Sequence, residues 1–259
     1  MNTALRHFAI SVSLIALVWG GGCDFCRPRP VKFNRGGEFD EIRKELQAPA
    51  DVRPQEGIAA AILIDTSGSM KDPVRGLHMG KKPKIEIARE AVVSLLDQFT
   101  DFATEHPERK VLVGVYEFST RKDQPECRAV VKLGPPDVPA AAKFVEEMVP
   151  DGGTPIGDSM IVAQRDLESS GMTHRHMLVV SDGESNRGFT PGDVTRVIEE
   201  LPDSRRSSIY FIAFDVNADL FDPVKNAGGL VLAASSEQDL RQTLDYILTG
   251  KILVEQPSK

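Results

Sequence analysis

The feature that most constrains this chain is the stretch from Ile58 to Ile64, IAAAILI, in which no polar residue interrupts seven consecutive positions. A run that short cannot bury itself as an amphipathic helix. It fits a strand covered on both faces, which is the environment of a parallel sheet sandwiched between helices. Further apolar runs follow at Val111–Phe118, Ala129–Leu133, Met177–Val180, Ser208–Phe214 and Gly229–Ala233. Between them lie stretches of helical period. Ile85, Ala88, Val92, Leu95, Leu96, Phe99 and Phe102 form one stripe, and Ile156, Met160, Ala163 and Leu167 form another. Further helices are read over 138–149, from Val194 to Leu201, over 219–226, and from Ser236 onward with Leu240, Leu244, Ile247 and Leu248 inward. Strands alternating with helices give an α/β fold with a mostly parallel sheet and helices on both faces. Binding sites in such folds lie beyond the carboxyl ends of the strands, so the loops after Ile64, Phe118, Val180 and Phe214 are the ones to inspect.

The N-terminus has a different character. Arg6 precedes an apolar stretch, Phe8 to Trp19, that is shorter than the roughly 20 residues a spanning helix needs and matches the core of an export signal. Residues 1–22 are therefore read as a signal peptide. Residues 23–57, rich in Arg, Pro and Gly, read as a tether that includes a short helix over 38–47. Residues 58–250 form the single folded domain and 251–259 a C-terminal tail. With 31 Lys and Arg against 38 Asp and Glu the net charge is −7, which argues against a nucleic-acid partner.

Two of the inspected loops carry carboxylates beside hydroxyls. The first strand runs into Asp65-Thr66-Ser67-Gly68-Ser69, and the strand ending at Val180 runs into Ser181-Asp182-Gly183-Glu184. A third loop, Asp151-Gly152-Gly153-Thr154-Pro155, sets a threonine at a helix start, where it also reads as an N-cap. Carboxylate, hydroxyl and water oxygens are hard ligands suited to Mg²⁺, Mn²⁺ or Ca²⁺. Asp65, Ser67, Ser69, Thr154 and Asp182 are the candidate metal ligands.

This D-x-S-x-S sequence, the later threonine in a Gly-rich loop and the aspartate after a strand resemble the metal-ion-dependent adhesion site of von Willebrand factor type A domains. The resemblance covers roughly Ile58 to Thr249. It implies a doubly wound, Rossmann-like sheet of six strands with one short antiparallel edge strand. It also implies a divalent ion, usually Mg²⁺, and a protein partner that completes the metal shell with an acidic residue. In that family the hydroxyls ligate directly and the two aspartates often act through water. Separately, Gly20-Gly21-Gly22-Cys23 resembles the lipobox of bacterial lipoproteins. That implies acylation at Cys23, a membrane-anchored protein of the cell envelope, and a remaining pair, Cys26 and Cys127, available for a disulfide in an oxidising compartment.

The resulting expectation is an exported, non-catalytic binding module. The alternatives are a metal-dependent hydrolase, for which Glu184 is the nearest base, and an envelope scaffold in which a metal only stabilises the fold. Other chemistry is unsupported. Ser67 stands where a haloacid-dehalogenase-type phosphatase needs its second aspartate, and no G-x-G-x-x-G follows the first strand. The Gly157-Asp158-Ser159 triplet lies inside a helix rather than after the first strand, against a lipase-type serine. Cys23 and Cys26 lack two further zinc ligands nearby. His174-Arg175-His176 reads as an exposed strand start. Between Met70 and the first long helix, Lys71, Arg75, Lys81, Lys82 and Lys84 read as a basic rim that steers an acidic partner.

Overall fold

The apolar run sits at the centre of strand β1 (Gln55–Asp65). β1 pairs in parallel with β4 (Lys110–Phe118) on one side and with β6 (Met172–Ser181) on the other. The described residues of this computed structural model are 35–48, 52–76, 80–122 and 124–255. They belong to one compact unit.

The sheet has six strands in the order β5-β4-β1-β6-β7-β8, with β5 at Cys127–Gly134, β7 at Ser208–Phe214 and β8 at Leu230–Ala234. Every pairing is parallel except β4 with β5, where Phe118 faces Cys127. The six strands, the antiparallel edge and the helical layers agree with the sequence expectation.

Strand alternation splits the core in two. Ile58, Ala60, Ile62 and Ile64 face a cluster that includes Ala88, Val92, Leu95 and Phe99 of α2 (Lys84–Glu105). That layer also contains Ala141 and Val145 of α3 (Val138–Glu146) and Leu240, Leu244 and Ile247 of α7 (Glu237–Ile247). Ala59, Ala61 and Leu63 face the other layer. It is built from α4 (Ile156–Ser169), α5 (Pro191–Glu199) and α6 (Asp222–Asn226). The chain leaves β1 toward β4 but leaves the adjacent β6 toward β7, so a crevice opens at the carboxyl ends of β1 and β6.

Two elements depart from the sequence reading. Helix α1 (Arg35–Glu45) falls inside the stretch read as tether, yet Ile42 and Leu46 are buried in the second core layer with Phe39 packed against it. Arg43 pairs with Glu200 at 2.9 Å, and Arg205 donates to the Leu46 carbonyl at 2.6 Å. Arg43 and Arg196 each lie over the Phe39 ring. The second departure is a small hairpin, β2 (Pro73–Arg75) with β3 (Lys81–Pro83), inside the segment read as loop. It is anchored by the buried Val74. Among the described residues no helix is long and apolar enough to cross a membrane. The signal, the lipobox with Cys23, and Cys26 lie outside the described residues. Cys127 is half-buried, with its thiol toward the Ser159 carbonyl and its pKa pushed by burial up to about 12.

Candidate metal centre

Asp65 ends β1 and is fully buried. Its Oδ1 accepts the Ser67 backbone N–H at 2.7 Å, an Asx-type turn that bends the chain out of the strand. Its Oδ2 accepts the Ser181 hydroxyl at 2.5 Å, which joins the ends of β1 and β6. Burial is the main cause that lifts the Asp65 carboxyl to about 6, against the opposing hydrogen bonds from Ser181 and Ser67.

Beyond the turn the oxygens line up. Ser67 Oγ lies 3.2 Å from Ser69 Oγ, and Ser69 Oγ donates to Asp182 Oδ1 at 2.7 Å. Adjacent ligands of an octahedral Mg²⁺ stand about 3.0 Å apart, given metal–oxygen distances near 2.1 Å. The spacing of the two serine oxygens therefore suits neighbouring positions around one such ion. Ser67 is buried and Ser69 is exposed, so the row runs from the interior to solvent.

The loop that carries Thr154 is bonded to the same turn through its backbone. Gly68 N–H donates to the Gly152 carbonyl at 3.0 Å, and Asp151 N–H donates to the Thr66 carbonyl at 2.8 Å. Thr120 fastens the other side, exchanging bonds with Gly153 at 2.7 and 3.1 Å. Gly152 has a positive φ of 79°, and a Cβ there would stand 1.9 Å from the Thr120 carbonyl oxygen. The cap reading of Thr154 does not hold. Helix α4 starts one residue later than it requires, with Pro155 at the N-cap and no side-chain capping bond. The similar Thr190-Pro191 pair does cap α5, accepting from Asp193 N–H. Thr154 is buried and held by its own backbone N–H, which donates to Asn186 Oδ1 at 2.9 Å.

The sequence reading missed a second charge beside these oxygens. Lys84 is the first residue of α2, where the helix dipole disfavours a cation. Its ammonium donates to Asp182 Oδ2 at 3.0 Å and pairs with Asp215 Oδ2 at 3.1 Å. Burial opposes its charge, but Asp182 and Asp215 outweigh burial and hold its pKa above the ordinary value. Lys84 was read as part of an exposed rim; its side chain is only 7% exposed, so it faces inward to Asp182 and not outward to a partner. Lys82 is also engaged, pairing with Glu90 at 2.5 Å. Lys71, Arg75 and Lys81 are exposed. Asp215 follows β7, in one of the four loops singled out from the strand pattern, and is the one non-glycine of positive φ, 58°, among the described residues. A second network braces the floor. Arg121 donates to Thr66 Oγ1 and to Glu117, and Arg128 pairs with Glu117.

At the opposite end of the sheet the histidines are not an exposed strand start. His176 is buried, and both rings meet Glu255, His174 Nδ1 at 2.6 Å and His176 Nε2 at 3.3 Å from Oε2. The segment after α7 folds back over this strand end and covers it. Among the described residues no group of three or more His, Cys, Asp and Glu is placed to hold a metal. An ion held by the described residues would therefore have to draw on hydroxyl oxygens, which Ser67 and Ser69 of the Asp65 loop and Thr154 can supply beside the carboxylates of Asp65 and Asp182. The donor set is oxygen throughout, which fits a hard divalent cation.

Comparison with known proteins agrees with this architecture. The chain overlays on the PilB minor pilin of Streptococcus sanguinis with a TM-score of 0.61 at 16% identity, covering 78% of this chain and 63% of the pilin. It overlays on a von Willebrand factor type A protein of Catenulispora acidiphila with a TM-score of 0.58 at 21% identity, covering 78% and 44%. A third neighbour is proximal thread matrix protein 1 of the mussel byssus, described with a zinc-occupied MIDAS motif (TM-score 0.55, 18% identity, 76% and 48% coverage). The chain thus spans less than two thirds of the length of each of these neighbours. No curated protein gives a significant match. Residues 61–242 match the family model of the von Willebrand factor type A domain, and the chain belongs to that family.

Proposed function

We propose that this protein is an exported, lipid-anchored binding module that engages a protein partner through a divalent ion, Mg²⁺ in the first instance. The observation that carries the reading is the row Ser67–Ser69–Asp182, bonded to the loop that bears Thr154 and opening to solvent at Ser69. Ser67, Ser69 and Thr154 would supply hydroxyls, with Asp65 and Asp182 balancing the charge. A carboxylate from the partner is the natural remaining ligand for a hard ion with an open position. Beside the site lies a cleft of about 810 Å³ lined by Arg75, Lys81 and Asp215 among others, large enough to receive a partner segment.

A non-catalytic role is favoured by how the carboxylates are engaged. Both oxygens of Asp65 accept protein hydrogen bonds, and both oxygens of Asp182 are committed to Ser69 and Lys84. Neither is a free general base. Glu184 is exposed rather than set in a pocket. Export and anchoring rest on residues 1–23, with acylation at Cys23. A location on the cell surface is in keeping with the pilin neighbour.

The test is capture from envelope extracts by the mature protein with Mg²⁺, with chelator, and with Ser69→Ala. The reading expects one partner that is lost in both perturbed arms and regained on adding Mg²⁺ to the wild type. A partner retained in chelator points instead to the scaffold. Labelling with a fatty-acid probe, absent in Cys23→Ala, tests the anchor.

A further inference from the structure

Asp182 faces two cations if the site fills. Its Oδ1 belongs to the serine row, and its Oδ2 is held by Lys84, which Asp215 anchors from the other side. We propose that Lys84 is an affinity-setting residue of the ion site, an internal cation that shares Asp182 with the ion and keeps the site's hold on the ion weak. This rests on reading the five oxygens as an ion site, and goes beyond it.

Asp65 and Asp182 supply two negative charges to the crevice. A buried ammonium 3.0 Å from Asp182 cancels one of them without competing for a coordination position. A buried cation opposes a second cation far more strongly than an exposed one does, because solvent screens it less. Lys84 cannot swing away at no cost. Its stem is packed, and it starts a helix whose dipole already disfavours its charge, so its two carboxylates are what keep it there. Asp215 gives the arrangement a second control. It occupies a backbone conformation that costs a non-glycine residue free energy, and its carboxylate takes part of the ammonium's charge away from Asp182. Removing Asp215 therefore leaves Lys84 wholly to Asp182, and removing Lys84 leaves Asp182 wholly to the ion.

The two substitutions must act in opposite directions, which a merely structural role would not produce. The experiment is calorimetric titration of the mature protein with Mg²⁺, comparing wild type with Lys84→Met, Lys84→Arg and Asp215→Asn. Thermal melts with and without the ion check the fold of each variant. Lys84→Met is expected to bind Mg²⁺ at least tenfold more tightly and to show a larger melting shift on adding it. Lys84→Arg, which keeps the charge, is expected to stay within about threefold of wild type, and Asp215→Asn to bind several-fold more weakly. If Lys84→Met does not fold, the direction of the Asp215→Asn effect still decides. Tight or unchanged binding in Asp215→Asn, or equal or weaker binding in a folded Lys84→Met, overturns the inference while leaving the ion site standing. No Mg²⁺ uptake by any of the four proteins overturns both.

Discussion

Gly152→Ala is the most informative single perturbation of the loops that build the site. The added Cβ would sit 1.9 Å from the Thr120 carbonyl oxygen, about 1 Å inside the closest approach that real Cβ atoms show, and at a φ of 79°. An alanine in the left-handed region costs about 1–2 kcal/mol. Relieving the clash has to part the Gly152 loop from Thr120. That puts at risk the two Thr120–Gly153 bonds at 2.7 and 3.1 Å and the Gly68–Gly152 bond at 3.0 Å. Losing two of them adds about 2 kcal/mol at about 1 kcal/mol each. The sum, about 3–4 kcal/mol, corresponds to a melting temperature roughly 10 °C lower for a domain of this size. Thr154 lies two residues on, so ion-induced stabilisation should disappear as well. Gly183→Ala is the matched control, because a Cβ there meets nothing within 4 Å and φ is not positive. It should leave the melting temperature within about 2 °C of wild type. Thermal melts of the three proteins, with and without Mg²⁺, read both effects. A Gly152→Ala protein as stable as the control and equally responsive to the ion would refute the reasoning.

Other expectations follow from the surrounding structure. Arg121→Ala leaves the buried Glu117 with Arg128 alone and removes one donor to Thr66 Oγ1; urea denaturation should show a loss of about 2–3 kcal/mol. Ile42→Ala should cost about 3 kcal/mol in the docking of α1, seen by hydrogen exchange as lost protection over 35–48 while β1 stays protected. Burial would raise the Glu255 carboxyl, but His176 and His174 outweigh it and hold it below its usual range. Its ionised form therefore stabilises the fold at neutral pH, and that contribution fades as pH falls through the lowered pKa. Glu255→Gln should accordingly cost about 1 kcal/mol near pH 7 and nothing in strong acid, as measured by denaturation across pH.

The sheet was legible because its strands are apolar runs and its helices carry clear stripes, so local pattern and tertiary burial agree. The row of candidate oxygens was legible because it clusters at strand ends, where such folds place their sites. What escaped has a common physical cause. Lys84 looks like any basic residue of a surface loop, and its burial depends on two carboxylates from the loops after β6 and β7 that no local pattern links to it. His176 is covered by a segment 79 positions later, whose Glu255 supplies the partner. α1 and the residue that follows it present only Phe39, Ile42 and Leu46 as an apolar face among charged neighbours, which is too thin a stripe to announce docking. Thr154-Pro155 carries the composition of a cap but not its bond, whereas Thr190-Pro191 carries both. Local sequence cannot distinguish those two threonines; the loop contacts of Gly152 and Gly153 do.

The central claim is that hydroxyls and carboxylates from three loops hold one divalent ion. Calorimetric titration of Mg²⁺ into the mature protein, beside Ser69→Ala, tests it most directly, because Ser69 is exposed and its loss spares the fold. The account predicts one ion per chain in the wild type and at least tenfold weaker binding in Ser69→Ala. Absence of binding in the wild type, or identical isotherms for the two proteins, would contradict it.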